Sequence, residues 1–281
     1  MIAQLFETRL QIRRQSTEAA KLSLSLSIAP DAFSYCLSEQ RFQQPTELLA
    51  VTAQVNEAEA PAVEAFEFFI SNNRLLNQPF EKIMISVLSS DFTLLPAAFS
   101  TDADTQVLDF VNGSTNKKQL VHHLHGMDLL AGIDQELMAS LERHFPGAAI
   151  RHSGAVSINL FFSQHSLTSA DLFLNIVGNQ MELMARKNSQ LLFYNIFKHQ
   201  SEEDILYYLL FAMEQFGFEP SRTQLAVAGD RMAIDPLFTS ISRYVRHLSF
   251  CAQDASLSLK GEFARLPSHA YFHLLNQHLC E

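Results

Sequence analysis

Two stretches of this chain change hydrophobic period in the same order, and that shared order constrains the fold more than any other feature. In the first stretch Leu22, Leu24, Leu26 and Ile28 alternate with Ser23, Ser25 and Ser27, the period of two expected of a strand with one apolar face. Ala29-Pro30-Asp31-Ala32 carries turn chemistry, Phe33, Tyr35 and Leu37 resume the alternation, and a third apolar run follows at 48–51. The period then lengthens. Ala62, Ala65, Phe66, Phe69 and Ile70 fall on one helical face behind Pro61, a residue tolerated in a first helical turn. After Asn77-Gln78-Pro79 a strand returns at 83–88.

The second stretch repeats this grammar. Strands are expected at 172–177, 181–185 and 191–195, with turns at Gly178-Asn179 and Lys187-Asn188-Ser189. Ser201 opens a helix with Asp204 as a capping-box variant, and Ile205, Tyr208, Leu209, Ala212, Met213 and Phe216 form its apolar face. A strand at 225–228 follows Pro220. At the 141-residue offset between Pro79 and Pro220, Phe66 meets Tyr207, Phe69 meets Leu210 and Met84 meets Leu225. Glu64 and Glu67 meet Ile205 and Tyr208, so the halves match in pattern and not in identity. The reading is an internal duplication.

Between the halves, Val107, Phe110 and Val111 suggest a short helix, and 120–125 and 127–131 suggest strands about Gly126. Asp134 caps a helix bearing Leu137, Leu141 and Phe145, stopped by Pro146-Gly147. A short strand at 148–150 and a helix at 153–162 follow. Near the end, Asp235-Pro236 opens a helix with Leu237, Ile241, Tyr244 and Val245 inward, and a final helix is expected over 268–279. The fold class is α+β or α/β in two lobes. The first spans 1–165 with an insertion and the second 166–281, each a mixed sheet that begins with a three-strand meander and is flanked by helices.

Composition narrows the function classes. The 281 residues are 47% apolar and 18% charged, too hydrophobic and too weakly charged for a disordered chain. A net charge of −10 without a basic block argues against direct nucleic-acid binding, which relies on phosphate neutralisation. Arg9, Arg13 and Arg14 are the only dense basic cluster and read as a solvated terminal segment. The longest strongly apolar run, 205–213, is about half of what a membrane span needs. Cys36, Cys251 and Cys280 are odd in number and widely spaced, which suits a reducing, cytoplasmic setting and provides neither a disulfide framework nor a zinc motif.

Two meander-helix-strand copies resemble paired ribonuclease-H-like lobes, the architecture of actin, sugar kinases and Hsp70. The segments Leu24-Ser-Leu-Ser-Ile-Ala-Pro-Asp-Ala-Phe33-Ser-Tyr-Cys, Phe92-Thr-Leu-Leu-Pro96, Asn175-Ile-Val-Gly-Asn179 and Leu192-Phe-Tyr-Asn195-Ile-Phe197, with the run 203–216, are similar to a bacterial domain-of-unknown-function family with an actin-like ATPase fold. The resemblance spans nearly the whole chain and implies a cleft on which three turns converge: 29–32, Gly178-Asn179 and Gly229-Asp230. It also implies two phosphate loops, each with an Asp near a strand end and Gly for close approach of backbone N–H groups to phosphate. Here the first turn has no Gly, and Pro30 has no N–H to donate. Asn175 stands where the second lobe would carry its Asp, and an amide replaces neither a base nor a strong Mg²⁺ ligand.

The resemblance thus marks Asp31, Asn175, Gly178, Gly229 and Asp230 as candidate remnants of a nucleotide cleft, the other reading being plain structural turns. The expectation is a non-catalytic binding or scaffold protein, with no catalytic residues, no metal and no cofactor. The alternatives are an ATPase or kinase-like protein that binds ATP and Mg²⁺ through atypical loops, or a protein partner of an RNA-modifying enzyme. The last is implied by relatives encoded beside an rRNA methyltransferase. No G-x-S-x-G, Walker or H-E-x-x-H motif is present. His122, His123 and His125, with alternation placing the last two on one strand face, read as exposed or edge-strand residues. So do His269 and His273, four apart on the expected final helix, with His278 nearby. Phe68 and Phe211 lean off their helices' apolar stripes and are the candidates for a contact surface.

Overall fold

The computed structural model describes residues 3–11, 22–54, 62–97, 116–230 and 235–280. The expected helix at Val107, Phe110 and Val111 lies outside these residues, as do Arg13 and Arg14.

The alternating segments fold as strands. β1 (Ala3–Gln11), β2 (Ser23–Ile28), β3 (Ala32–Glu39) and β4 (Gln44–Gln54) pair antiparallel. The chain then runs through α1 (Ala62–Asn72), and β5 (Lys82–Val87) returns parallel to β2. β6 (Phe92–Pro96), β7 (Lys117–Leu124) and β8 (Met127–Asp134) form a small separate sheet in the order β6-β8-β7. Asp134 caps α2 (Gln135–His144) by accepting the Leu137 N–H, after which β9 (Ala149–His152) joins β5 in parallel and leads into α3 (Ser153–Ser163).

The second series consists of β10 (Leu172–Val177), β11 (Gln180–Lys187) and β12 (Gln190–Lys198), then α4 (Glu202–Gln215) and β13 (Gln224–Gly229). α5 (Pro236–Ser242), β14 (His247–Phe250) and α6 (Phe272–Asn276) complete it. The large sheets have the orders β1-β4-β3-β2-β5-β9 and β12-β11-β10-β13-β14. Without β1 the first maps strand for strand onto the second: an antiparallel meander, then two parallel strands reached by crossovers.

Each sheet covers one face with its own helices. Leu24, Leu26, Phe66, Phe69 and Leu141 share one core, and Leu174, Leu183, Ile205, Leu209 and Ile241 share another. The opposite faces meet other chain. Ser25 pairs with Cys36, and the Cys36–Leu48 face packs on Leu274 and Leu275. The serine face of β2 is thus buried, with Ser23 and Ser25 at 0% and 3% exposure. Alternation alone implied a solvated face there. α3 is buried on nearly every side, and Phe161 stacks on Phe173 of the second sheet at 5.9 Å. Arg186 ties down its C-terminal end by donating to the carbonyls of Phe161, Leu167 and Ala170, with the guanidinium 4.4 Å from the Phe161 ring centre.

Several expectations are corrected. Arg9 is exposed, as a solvated segment requires, but it lies on β1, an edge strand of the first sheet. β1, β6 and β14 are strands not expected from the sequence. Tyr244 is 53% exposed, because α5 stops at Ser242 before that residue can turn inward. The final helix is broken: Tyr271 adopts φ 54°, so only Phe272–Asn276 is α-helical, followed by a 3₁₀ turn. That break lets the segment pass between the two large sheets, where α6 forms part of the cleft wall. No helix among the described residues is long and apolar enough to cross a membrane.

Candidate functional site

The turn after β2 closes with the Ala29 N–H donating to the Ala32 carbonyl at 2.8 Å, which projects Asp31 toward the second sheet. The β10–β11 hairpin turns through Gly178 at φ +56°, and its two backbone N–H groups point back. Asn179 N–H donates to Asp31 Oδ2 at 2.9 Å, and Gly178 N–H donates to Asp230 Oδ2 at 3.2 Å. The structure therefore brings Asp31, Gly178, Asn179, Gly229 and Asp230 together. Contact is tight on both sides. A Cβ on Gly178 would stand 2.6 Å from Asp31 Oδ1, and one on Gly229, at φ +137°, 2.2 Å from the Ile176 carbonyl oxygen.

Asp31 is 5% exposed. Burial pushes its carboxyl up to about 6, with the Asp230 charge adding to the rise, while the Asn179 N–H and Lys198 oppose it. Its Oδ1 has no hydrogen-bond partner among the described residues.

Asn175 lies behind the hairpin, opposite Glu182 in the β10–β11 register. Its Nδ2 donates to Glu182 Oε2 at 2.7 Å. Glu182, at 1% exposure, also accepts from Ser153 Oγ at 3.1 Å, Ser157 Oγ at 2.9 Å and the Tyr194 hydroxyl at 2.8 Å. Four donors fill the lone-pair sites of one carboxylate. Ser153 Oγ is also 3.3 Å from His273 Nε2, a Ser-His-Glu grouping. Ser153 is only 4% exposed and commits its single proton to Glu182, so the group fastens α3 and α6 to the hairpin and presents no nucleophile. Burial lowers the pKa of both His273 and His152, keeping them neutral. Sequence reasoning missed this network. Its signal was the hairpin symmetry that sets 175 against 182, together with Ser153 and Ser157 four apart on one helix.

A cavity of about 40 Å³ opens beside the turns, lined by Thr52, Asn175, Asp230, Tyr271, Phe272 and their neighbours. That holds roughly three water-sized positions at about 10–15 Å³ each. A metal-bound nucleoside phosphate does not fit these residues: the hairpin N–H groups already serve two carboxylates, Asn175 is committed to Glu182, and the space is far too small. Among the described residues no three His, Cys, Asp or Glu side chains gather as a metal site.

The histidines are dispersed. His125 sits in the turn at φ 29° and stacks on Phe162, so it shares no strand face with His123, which pairs with Asp128 at 2.8 Å. His122 accepts the His152 N–H. His269 precedes α6 and packs between Phe238 and Phe250, so it and His273 lie on no common helix. Both are buried, because the broken segment carries them into the interior. Phe68 and Phe211 are each 47% exposed, and Tyr207, stacked on Phe211 at 5.9 Å, is 61% exposed.

The chain belongs to the family described as "Protein of unknown function (DUF3822)", whose model matches residues 13–248. No curated protein matches the sequence. Among solved structures it is similar to a Bacteroides thetaiotaomicron protein with an actin-like ATPase fold and unknown function. That match has 17% identity and a TM-score of 0.69, and covers 85% of this chain and 93% of the other. It is also similar to a chain of the PilM-PilN type IV pilus biogenesis complex, at 12% identity and TM-score 0.59, covering 92% and 97%. A third match is the ethanolamine utilization protein EutJ from Carboxydothermus hydrogenoformans, at 8% identity and TM-score 0.50, covering 93% and 89%. At these identities the likeness establishes the fold, and the fold is that of the actin-like ATPases.

Proposed function

We propose that this DUF3822 member is a non-catalytic binding or scaffold protein built from two lobes, 1–165 and 166–281, on a degenerate actin-like ATPase fold. One observation carries the reading. The backbone donors that such a fold would turn toward phosphate are taken by the chain's own Asp31 and Asp230. A phosphate approaching them would meet two carboxylates and have to displace both, a like-charge encounter in a partly buried site. The fold does not dictate activity, and the site chemistry must supply it.

The partner in this reading is a protein. The stacked Tyr207–Phe211 pair, exposed on α4, offers the aromatic surface enriched at interfaces. One chain of similar fold comes from the PilM-PilN type IV pilus biogenesis complex. A cytoplasmic location fits three free, buried cysteines, whose thiols are raised by burial away from the reactive thiolate form.

Titration calorimetry with ATP and Mg²⁺ tests the proposal. The expected result is no saturable heat. A dissociation constant below about 100 μM, roughly −5.5 kcal/mol, would replace this reading with a nucleotide-dependent one.

A further inference from the structure

β12 ends the second sheet with one side open: among the described residues it pairs with β11 alone. The His199 N–H donates to the Asn179 carbonyl at 2.9 Å, and in the β11–β12 register this makes Phe193, Asn195 and Phe197 the residues bonded inward. Tyr194, Ile196 and Lys198 therefore turn their backbone N–H and C=O groups outward. The Ile196 N–H donates to the side chain of Asn195 at 2.9 Å, in the place that a neighbouring strand's carbonyl would take. Edge strands are normally blunted by charge or proline. The run 191–197 contains neither, and the one irregularity in its pairing, opposite Arg186, lies at the start of the strand.

The surface beside this edge is aromatic and acidic. Phe197 stacks on Tyr208 of α4 at 4.3 Å, and the exposed Tyr207 stacks on the exposed Phe211 at 5.9 Å. Helical spacing sets Glu203 and Glu214, both exposed, on the same stripe as the latter two rings, one toward each end. Neither carboxylate has a partner among the described residues. Every charged residue of α4 is acidic. Glu202, Glu203 and Asp204 suit a helix N-terminus, but Glu214 stands in the last turn, where the helix dipole disfavours a negative charge. The one cation of the strand, Lys198, belongs to the opposite face, where its charge acts on Asp31.

We infer that β12 and α4 together dock an extended segment of a partner protein in which arginine alternates with apolar residues. The inference rests on the reading of the chain as a protein-binding scaffold. The main chain of that segment continues the ladder at Tyr194, Ile196 and Lys198, and its successive side chains fall on opposite faces. Those on the α4 side reach toward Phe211 and Tyr207 and the Glu203 and Glu214 carboxylates. A guanidinium suits that surface, because it stacks on a ring and pairs with a carboxylate at once. Side chains on the other face continue the apolar surface of Leu191. A second copy of the chain is a poorer occupant, since pairing β12 with itself sets two acidic stripes side by side.

The test uses the full chain at pH 7.5 and the fluorescence anisotropy of a labelled peptide, acetyl-Val-Arg-Val-Arg-Val-Arg-Val-amide. Comparison peptides carry Glu in place of Arg, or the same residues in blocks, or N-methyl groups on all the arginine or all the valine nitrogens. Support is saturable binding of the first peptide, with the glutamate and block peptides at least about five-fold weaker. One of the two methylated forms should also lose binding, because only one set of nitrogens faces β12. The variant Glu203→Gln/Glu214→Gln should bind at least about five-fold more weakly while melting as the parent does, since both side chains are exposed. No saturable binding, equal binding of the glutamate or block peptide, indifference to both methylated forms, or an unchanged constant in the glutamine variant overturns the inference. So does a dimer in sedimentation velocity that the peptide dissociates, which gives the edge to a second copy. A parallel titration with ATP and Mg²⁺ separates the two failures: silence with both peptide and nucleotide sinks the docking edge alone, whereas nucleotide binding sinks the scaffold reading beneath it.

Discussion

Asp31 Oδ2 accepts the backbone N–H of Asn179 at 2.9 Å, joining positions 148 residues apart. The contact links the β2–β3 turn to the β10–β11 turn, the corresponding hairpins of the two duplicated sheets. A negative charge thereby sits on donors that would otherwise be open to an anion. The electrostatic consequences are measurable.

Asp31→Asn should show the cost of that charge. Burial raises the Asp31 carboxyl from 3.8 to about 6, so the fold favours its protonated form. The stability this group contributes is complete below pH 3.8 and is lost as pH rises through 6. At about 1.4 kcal/mol per pH unit of that window, the ceiling is about 3 kcal/mol. The asparagine variant retains an acceptor for Asn179 and does not titrate. Urea melts should find it about 1–3 kcal/mol more stable than the parent at pH 7.5 and nearly equal at pH 4. A variant less stable at pH 7.5 would refute the account.

The two cleft glycines should differ in tolerance. Gly229→Ala combines a φ of +137° with a backbone oxygen 2.2 Å from the new methyl, and should cost more than about 4 kcal/mol or prevent folding. Gly178→Ala meets only the end of the Asp31 side chain and should cost about 1–3 kcal/mol. In an Asp31→Ala background that cost should fall to about 1 kcal/mol, the left-handed strain alone. Equal penalties for Gly178→Ala in both backgrounds would show that Asp31 does not set the space there.

Asn175→Asp restores the acid typical of the fold, yet it sets two carboxylates where an amide now donates to Glu182 at 2.7 Å. The pair must share a proton. The expected cost is about 2–5 kcal/mol at pH 8, shrinking toward pH 5, with phosphate release from ATP no faster than the buffer background. Magnesium-dependent turnover in this variant would mean that the cleft accepts a nucleotide after all.

Arg186→Lys should destabilise by about 2–4 kcal/mol. A lysine has one point of charge and cannot span the carbonyls of Phe161, Leu167 and Ala170 or stack on Phe161 as the planar guanidinium does. Differential scanning calorimetry reads this directly. An unchanged midpoint would show that α3 is held in place by its apolar packing.

Replacing Tyr207 and Phe211 by Ser should leave stability within about 1 kcal/mol, because both side chains face solvent. The same double variant should lose the partner that the parent retains in a native lysate pull-down. Retention of that partner would move the interface elsewhere.

Local chemistry by itself determined much of this molecule. The Leu-Ser alternation gave β2, the period change at Ala62 gave α1, and Ser201 with Asp204 closed a full capping box. Each depends on residues no more than four apart, so each can be read along the chain. The matching order in both halves then specified a duplicated fold, and the resemblance to actin-like ATPases implied that the turns at Asp31, Gly178 and Gly229 meet at one cleft. Tertiary structure decided the rest, because it set pairings that no local period encodes. Four-residue β14 exists as a strand because β13 offers it an edge. The serine face of β2 is dry because a segment near the other end of the chain, broken at Tyr271, packs over it. Glu182 is tolerated in the interior because Ser153, Ser157, Asn175 and Tyr194 arrive from three separate elements to donate to it. Whether a buried carboxylate or an occupied backbone donor is stable depends on which groups long-range packing brings within about 3 Å, and only the folded chain settles that.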